Sequence, residues 1–544
     1  MISCQKEINQ DDVIRIVSPV SGWTYYEDNK IHFTTNVDTE NINWYSTKDG
    51  FLGNKNGLNV FLSEGEHSIF CLINGYRKKV QIFVKKRNYR YGESIVNLLN
   101  ESNKEVKLKA GNYYPYLISC EGKGKEIQKI QESNCNINGS ELFRINTNIK
   151  GKKRIMINDS RSSKVRKYTE GEKKNFYIIK TDDQNNVPHE IEFEMIKSSQ
   201  NCTVWIPVER DFGIEKIQEV TKRFETIIFP RITKIWGNWA DIDEDGKIAF
   251  VFSPTINQEK QAIGFFNPSD LFKNEDNNYS NEMDIVYFAI PDDKESSYSL
   301  DSITATMAHE ITHAITFNSK TYKRILNGEQ NVLQEEIFID EGLSHLSENL
   351  CGYGISGGNV DFIRYYLENT LDYSFCKENA FGQNDSAGQR GAMCLFLSWL
   401  FWKKGGMSWD KYNSIEIKDC GGIKFLKELI NSKDTGWENI GKIYGLPIEE
   451  LFTEFVEEIN LCRIESGKIK YQKDPVTEEY VEFFCNMPEI SLQLPKVYNE
   501  LEIREVLPWS MILFNNIKID NQSVILLKNY GYTGNIFYNF IYSY

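Results

Sequence analysis

Two of the six histidines in this 544-residue chain stand four residues apart, in the stretch 305-ATMAHEITHAITF-317. If the stretch is helical, His309 and His313 share one face about one turn apart, so both imidazoles can bind one metal ion. Glu310, directly after the first histidine, would then lie beside a metal-bound water as its general base. The alternative is an ordinary helix that carries two histidines. The spacing favours zinc, but a catalytic zinc site needs one more protein ligand.

The segment 336-EIFIDEGLSHLSENL-350 offers that third ligand. Its apolar residues recur at helical spacing, which predicts a second helix packed on the first. Glu341, His345 and Glu348 share the remaining face of this helix. A carboxylate added to two imidazoles gives three protein ligands and an open fourth position, the arrangement of catalytic rather than structural zinc.

Together, 309-HEITH-313 and 340-DEGLSHLSE-348 resemble the gluzincin peptidases, in which an HExxH helix is followed by a helix that carries a glutamate ligand. A narrower resemblance is to the hyicolysin family of bacterial metallopeptidases, and it spans roughly residues 175 to 465. Besides the second helix, it is carried by the stretches 241-DIDEDGKIAFVFSP-254, 264-GFFNPSDLF-272 and 386-SAGQRGAMCLFLSWLF-401.

The resemblance implies a zincin-type fold with His309, His313 and Glu341 as zinc ligands and Glu310 as the general base that activates the zinc-bound water. His345 departs from the pattern, because thermolysin-like members have an aspartate four residues after the glutamate ligand. Three roles stay open for His345. It can orient a ligand through a hydrogen bond, stabilise the transition state, or bind the metal in place of Glu341.

Two further acidic residues on the second helix are candidates for orienting the ligands from behind. Asp340 directly precedes the glutamate of the family pattern, and Glu348 follows one turn after His345. Such outer partners fix the orientation of metal-binding imidazoles. The transition state also needs a donor for its developing oxyanion. His345, Tyr353, Arg390 and several other tyrosines are candidates, and the sequence does not choose among them.

A second ion-binding pattern precedes His309 by about 65 residues. Asp241, Asp243, Asp245 and Gly246 match the first half of an EF-hand calcium loop, but the twelfth position is Phe252 instead of glutamate. The alternative is a tight turn that needs no ion. Calcium is therefore a candidate second cofactor beside zinc.

The composition restricts the partners. The net charge of −14 would repel nucleic acid and anionic membrane surfaces, which leaves peptides, glycans and small molecules. No run approaches the ~18 apolar residues that a membrane-spanning helix needs. The start, 1-MISCQKEINQDD-12, resembles the end of a bacterial lipoprotein signal, so Cys4 is expected to be a lipid-anchor cysteine; the alternative is an ordinary cysteine near a terminus. A secreted or cell-surface location outside the cytoplasm follows.

The patterning predicts a multidomain chain with all-β modules first and an α+β domain after them. Alternating strands up to residue 86 predict an immunoglobulin-like sandwich, in which His32 and His67 are expected to be structural. Helical periodicity begins in 211–237, the apolar runs 248-IAFVFSP-254 and 284-DIVYFAI-290 predict buried strands, and helices then dominate to about residue 466. The predicted divisions are a tether at 1–11, the sandwich at 12–86, a second β domain at 87–206, the zincin-type catalytic domain at 207–475 and a small β region at 476–544.

The expected function is a zinc-dependent endopeptidase that hydrolyses extracellular proteins or peptides. An aminopeptidase on the same fold is a rival, although it would need acidic groups that hold a free α-amine. A non-catalytic adhesin or glycan-binding surface protein with a structural metal site is the rival from another class. Glu310 disfavours that rival, because a site that only binds has no use for a general base.

Overall fold

A computed structural model describes the chain over most of residues 14–120, over 168–178 and 188–466 with short gaps, and over strands between 468 and 543. Its described residues are 14, 16–19, 24–27, 30–35, 41–73, 75–86, 89–91, 96–97, 103–108, 111–120, 168–178, 188–259, 262–273, 279–329, 332–370, 373, 386–409, 416–466, 468–471, 474, 476–477, 490–493, 496–498, 509–514, 516–520, 523–528 and 535–543. The predicted tether and Cys4 lie outside them. Within them, no helix has the length and apolar character needed to cross a membrane.

The strands and helices are numbered here in chain order. The strands are β1 (Ile16–Ser18), β2 (Thr24–Tyr26), β3 (Ile31–Thr35), β4 (Ile42–Ser46), β5 (Gly50–Gly53), β6 (Leu58–Val60), β7 (Gly65–Ile73), β8 (Tyr76–Lys85), β9 (Tyr89–Tyr91), β10 (Val96–Asn97), β11 (Asn103–Leu108), β12 (Gly111–Cys120), β13 (Lys173–Ile178), β14 (His189–Ser198), β15 (Cys202–Pro207), β16 (Ile248–Phe252), β17 (Gly264–Phe266), β18 (Ile285–Phe288), β19 (Met407–Trp409), β20 (Ile417–Asp419), β21 (Lys468–Tyr471), β22 (Ile490–Gln493), β23 (Val497–Tyr498), β24 (Ser510–Phe514), β25 (Ile517–Ile519), β26 (Ser523–Lys528) and β27 (Asn535–Ser543). The α-helices are α1 (Glu215–Arg223), α2 (Phe229–Ile235), α3 (Pro254–Glu259), α4 (Leu300–Phe317), α5 (Lys323–Leu326), α6 (Ile337–Cys351), α7 (Asn359–Glu368), α8 (Ala387–Lys403), α9 (Gly422–Asn431), α10 (Gly436–Tyr444) and α11 (Ile448–Ser466).

The first eight strands form two sheets, ordered β1-β3-β6 and β2-β8-β7-β4-β5. Their buried apolar residues form one core, in which Phe33 meets Trp44 edge to face with ring centroids 5.3 Å apart. His67 is buried in that core, 2.7 Å from Ser46 Oγ and 2.6 Å from the backbone oxygen of Ser63. These contacts are those of a histidine held inside the module, which agrees with the expectation that His67 is structural.

A six-stranded sheet crosses the central region in the order β13-β14-β15-β16-β18-β17. The strands β15, β16 and β18 run parallel and every residue in them is buried. Continuous apolar runs such as 248-IAFVF-252 are what a sheet covered on both faces requires. The edge strand β17 runs antiparallel to β18 and contacts α4.

The two helices predicted from the motifs are α4 and α6, and they pack against each other. The side chain of Ser299 caps α4 by accepting the Ser302 N–H at 3.2 Å. At Gly342, an added Cβ would lie 3.0 Å from the Met393 backbone oxygen, so glycine lets α6 pack closely on α8. The helix α6 ends at Cys351, and the φ of 88° at the following residue, Gly352, favours glycine.

The strand pairing divides the chain differently from the predicted domains. Strands β13 and β14, and all of β15 except its last residue, lie before residue 207, yet they belong to the same sheet as β16. Strand β12 pairs with β27 along its length, so residues 111–120 and 535–543 form one sheet instead of two separate regions. The sequence of a short strand indicates which of its residues are buried, but not which strand it pairs with. Pairing between strands this distant in sequence has no local sequence signal.

Candidate metal centre

His309 and His313 lie on one face of α4, with ring centroids 4.9 Å apart. The Nε2 atom of His313 is 3.1 Å from Glu341 Oε1, and the Nε2 atom of His309 is 3.5 Å from Glu341 Oε2. Ligand atoms of the three side chains lie within 4.8 Å of one another. The four-residue spacing on α4 and the packing of α6 across it thus bring two imidazoles and one carboxylate to a common point.

These three residues fit a metal ion by their chemistry. Glu341 is only 2% exposed, and neither of its carboxylate oxygens accepts a hydrogen bond in good geometry from a described residue. Buried carboxylate oxygens without partners cost free energy unless a cation compensates them. Two imidazole nitrogens and one carboxylate form the donor set of catalytic zinc.

The outward-facing nitrogens of both imidazoles are held by carboxylates. Nδ1 of His309 donates to Glu348 Oε1 at 2.6 Å, and Nδ1 of His313 donates to Asp340 Oδ2 at 3.0 Å. Ser344 Oγ is 3.2 Å from the same Nδ1 of His313. A bond at Nδ1 fixes the ring and leaves Nε2 with a lone pair for a metal. The structure therefore places Glu348 and Asp340 where the sequence predicted outer partners.

The charges at this centre compensate one another. Burial favours the neutral form of Glu341, but His313 and His309 outweigh burial and hold the pKa of its carboxyl well below the usual range. Burial lowers the pKa of His309, but Glu341 and Glu348 together raise it to about 9. The carboxylates thus favour positive charge at the two imidazoles, and a metal ion bound at both Nε2 atoms would supply that charge in place of protons.

Glu310 lies next to the trio formed by His309, His313 and Glu341, and the edge of the sheet fixes its position. Its Oε2 accepts the backbone N–H of Phe266, the last residue of β17, at 3.0 Å. Burial raises the pKa of Glu310, which is 9% exposed. A carboxylate with a raised pKa beside a metal position is suited to accepting a proton.

Comparison with known proteins adds a distant relative. The chain is 24% identical over 161 residues to the neutral metalloprotease ShpI of Staphylococcus hyicus. The aligned part is 28% of this chain and 34% of that protein, so the chain spans about a third of this relative's length.

No protein-family model matches the chain. Among solved structures, the fibronectin(III)-like modules of Clostridium thermocellum CbhA align with 19% of this chain and 68% of their own, at 14% identity and a TM-score of 0.12. A score that low carries no structural argument.

His345 lies beside the trio, on the side of His309. Its ring centroid is 4.7 Å from that of His309 and 5.5 Å from that of Phe362. Its Nδ1 is 3.2 Å from Glu348 Oε1, the oxygen that also holds His309. His345 is 1% exposed, and burial lowers its pKa. His309, His345 and Glu348 thus form a second trio with ligand atoms within 4.8 Å.

The other two candidate oxyanion donors lie in different places. Arg390, at the start of α8, has its Nη1 atom 3.9 Å from Glu341 Oε2. Tyr353 follows α6 and is 5% exposed, and burial raises the pKa of its hydroxyl to about 12. Arg223 lowers that pKa and Asp301 raises it, so Tyr353 lies near the start of α4. Only Arg390 of these two has its charge beside the trio.

Two contacts of the centre were not anticipated. Ser344 follows Glu341 by three residues, and that spacing would have placed it on the same helical face. The N–H that holds Glu310 belongs to the backbone of Phe266, and a backbone amide has no signature in the sequence.

The predicted calcium residues also converge. Carboxylate oxygens of Asp241, Asp243 and Asp245 lie within 4.8 Å of one another. Burial, followed by the charges of Asp245 and Asp241, raises the pKa of Asp243 to about 6. The predicted twelfth position, Phe252, is fully buried at the end of β16.

Proposed function

We propose that this chain is a zinc-dependent endopeptidase of the gluzincin type, with a zincin-type central domain. The observation that carries the proposal is the convergence of two imidazole Nε2 atoms on the buried carboxylate of Glu341, at 3.5 and 3.1 Å, with Glu310 alongside. The similarity to a metalloprotease, although distant, suggests the same class of chemistry. His309, His313 and Glu341 are the proposed zinc ligands.

A zinc ion held by these three residues would supply Lewis acidity, which lowers the pKa of a bound water and polarises a carbonyl oxygen. The chain itself supplies the base. Glu310 takes the proton of the attacking water and passes it to the leaving amine nitrogen. The Phe266 N–H fixes one oxygen of Glu310, so the carboxylate keeps a single orientation through both transfers.

We assign a protein or peptide as the substrate because of the edge strand. Among the described strands of the six-stranded sheet, β17 pairs with β18 alone, and the N–H of its last residue, Phe266, donates to Glu310. An extended peptide can add to a free strand edge through its backbone, which brings its carbonyls past that base. Arg390, beside Glu341, is the proposed donor for the developing oxyanion.

We infer that His345 acts through Glu348. One carboxylate oxygen of Glu348 accepts from His309 at 2.6 Å, and Nδ1 of His345 lies 3.2 Å from the same oxygen without a hydrogen bond in good geometry. His345 thus lies close enough to attract the group that orients a ligand. His345 is thus a positioning residue in this proposal. Asp340 has the equivalent position behind His313.

The proposal also includes the expected N-terminal module, cellular location and lipid anchor. An immunoglobulin-like N-terminal module and an extracytoplasmic location, with a lipid anchor at Cys4, fit a peptidase that meets extracellular proteins. No described residue supports the adhesin reading specifically, and Glu310 argues for catalysis.

The test uses the Glu310→Gln variant on an unfolded protein substrate such as reduced casein, with fragments identified by mass spectrometry and zinc measured on the same samples. Glutamine keeps the acceptor for Phe266 but is not a base. Cleavage should fall by about 10²- to 10⁴-fold while zinc content is unchanged. The matched control is Glu329→Gln, since Glu329 makes an ion pair with Lys433 at 3.1 Å and no contact with the centre.

Two results would contradict the proposal. Stepwise removal of N-terminal residues without internal cuts would indicate an aminopeptidase. A zinc-loaded, unmutated chain that cuts no substrate in a peptide library would indicate a binding protein.

A further inference from the structure

The aspartate loop lies at the same sheet edge as the start of a second strand. Residues 241–247 directly precede β16, and Asp284 directly precedes β18, which runs parallel to β16. The backbone joins them, since the Ala249 N–H donates to the Asp284 backbone oxygen at 2.9 Å. The side chain of Asp284 therefore starts from the strand next to the loop.

The carboxylate of Asp284 points to the loop and is incompletely satisfied. Its Oδ1 accepts the backbone N–H of Ile242 at 3.3 Å. The residue is 3% exposed, and among the described residues its buried Oδ2 has no hydrogen-bond partner. A buried carboxylate oxygen without a donor requires a proton or a cation.

The loop adds three carboxylates, and the charge of Lys247 compensates them only in part, by lowering the pKa of Asp245 against the burial that raises it. Asp241 and Asp245 use one oxygen each for the backbone N–H groups of Gly246 and Lys247, at 3.0 and 2.7 Å. Asp243 Oδ1 is buried and, within the described part of the chain, lacks a partner. The Lys247 ammonium instead donates to Ser198 Oγ at 2.6 Å.

The four carboxylates also influence one another. Burial raises the pKa of Asp284 well above its usual range, and the charge of Asp243 is the next largest cause. Asp241 and Asp245 raise it further. Like charges in a partly buried cluster repel, so the arrangement is costly as long as nothing cationic joins it.

We propose that Asp241, Asp243, Asp245 and Asp284 together bind one calcium ion. An all-oxygen donor set selects a hard cation over zinc, and calcium accepts irregular geometry from a loop more readily than magnesium does. In an EF-hand, the acidic ligand at position twelve comes from the same loop. Here Phe252 is buried in that place, and Asp284 supplies the carboxylate from the neighbouring strand.

The ion joins the loop before β16 to the start of β18. Strand β18 pairs with β17, whose Phe266 N–H holds Glu310. Calcium would thus stabilise the sheet that carries the catalytic edge, and this holds whether or not the chain is a peptidase.

The experiment uses the full chain, stripped of divalent ions and reloaded with one equivalent of zinc. Calcium is then titrated during calorimetric melting, with magnesium at equal concentration as a comparison. At saturating calcium the Tm of the unmutated chain should rise by about 5 °C or more. The Asp284→Asn variant should lose most of that rise, whereas Asp293→Asn, which removes an exposed charge paired with Lys216 at 2.7 Å, should keep it.

The calcium-free Tm separates ion binding from a merely structural role. Asparagine still accepts the Ile242 N–H and removes one negative charge, so calcium-free Asp284→Asn should melt at or above the temperature of the unmutated chain. Failure of the unmutated chain to respond to calcium overturns the proposal, and so does a full response in Asp284→Asn. If that variant does not fold, Asp243→Asn gives the same readout from a partly exposed position.

Discussion

The two acidic clusters of this molecule differ in the sign of the charges around them. At the metal centre, the carboxylates of Glu341 and Glu348 face the imidazoles of His309 and His313, and the charges compensate. At the loop, burial and the neighbouring carboxylates raise the pKa of both Asp243 and Asp284. The side chains of the first cluster can therefore compensate one another's charge before any metal binds. The second cluster needs a cation or protons to compensate its negative charge. In the first, a metal would serve chemistry; in the second, it would serve stability.

The largest effect should come from removing a proposed ligand. Glu341→Ala should lose more than the ~100-fold in zinc affinity that follows from removing an outer partner, and cleavage should be lost with it. His345→Ala should keep about one zinc per chain, because His345 lies behind Glu348. Zinc analysis after dialysis compares the two. Retention in Glu341→Ala together with loss in His345→Ala would move the site to the trio of His309, His345 and Glu348.

The outer partners should rank by burial. Glu348→Gln should lower zinc affinity by about 10- to 100-fold, since a buried hydrogen bond of 2.6 Å holds His309. Asp340→Asn should cost less, because the Asp340 side chain is 33% exposed and its bond to His313 is 3.0 Å. Competition with a zinc chelator measures both. Equal effects would contradict the ranking.

A substitution in the edge strand β17 should have an effect of intermediate size on stability and cleavage. At Gly264 an added Cβ would lie 2.7 Å from the Tyr287 backbone oxygen and 3.0 Å from Thr306 Cγ2. Gly264→Ala should push β17 away from β18 and α4, at a cost of about 1–3 kcal/mol in unfolding free energy. Cleavage should fall with zinc unchanged, because the N–H that orients Glu310 moves. Unchanged kcat would show that the base does not need this contact.

The smallest effect should have opposite signs at the two clusters. In protein free of divalent ions, Asp245→Asn keeps the bond from the Lys247 N–H and relieves repulsion, so the Tm should rise slightly. Under the same conditions Glu348→Gln should lower the Tm, because His309 loses its charged partner. Thermal melting of both variants in one buffer makes the comparison. A fall in both would mean that the loop is not limited by its own charge.

The parts of the site that follow helical spacing could be predicted from the sequence. His309 and His313 are four residues apart, and Glu341, His345 and Glu348 recur on one face of α6. A helix converts such spacing into a shared face almost regardless of its surroundings. The fully buried strands β16 and β18 could also be predicted, because each is a continuous apolar run.

Contacts between distant strands could not be predicted. Asp284 lies about 40 residues from the aspartate loop and has no motif around it, so only the parallel pairing of β16 with β18 shows that they meet. The contact of Glu310 with the Phe266 N–H and the pairing of β12 with β27 likewise join segments that are far apart in the sequence. Non-local pairing depends on the whole fold, and local propensity does not encode it.

The most direct test of the central claim is anomalous diffraction at the zinc edge from crystals of the zinc-loaded chain. We expect one strong zinc peak bounded by Nε2 of His309, Nε2 of His313 and the carboxylate of Glu341, with Glu310 beside it. A peak bounded instead by His309, His345 and Glu348, or no peak between α4 and α6, would contradict it.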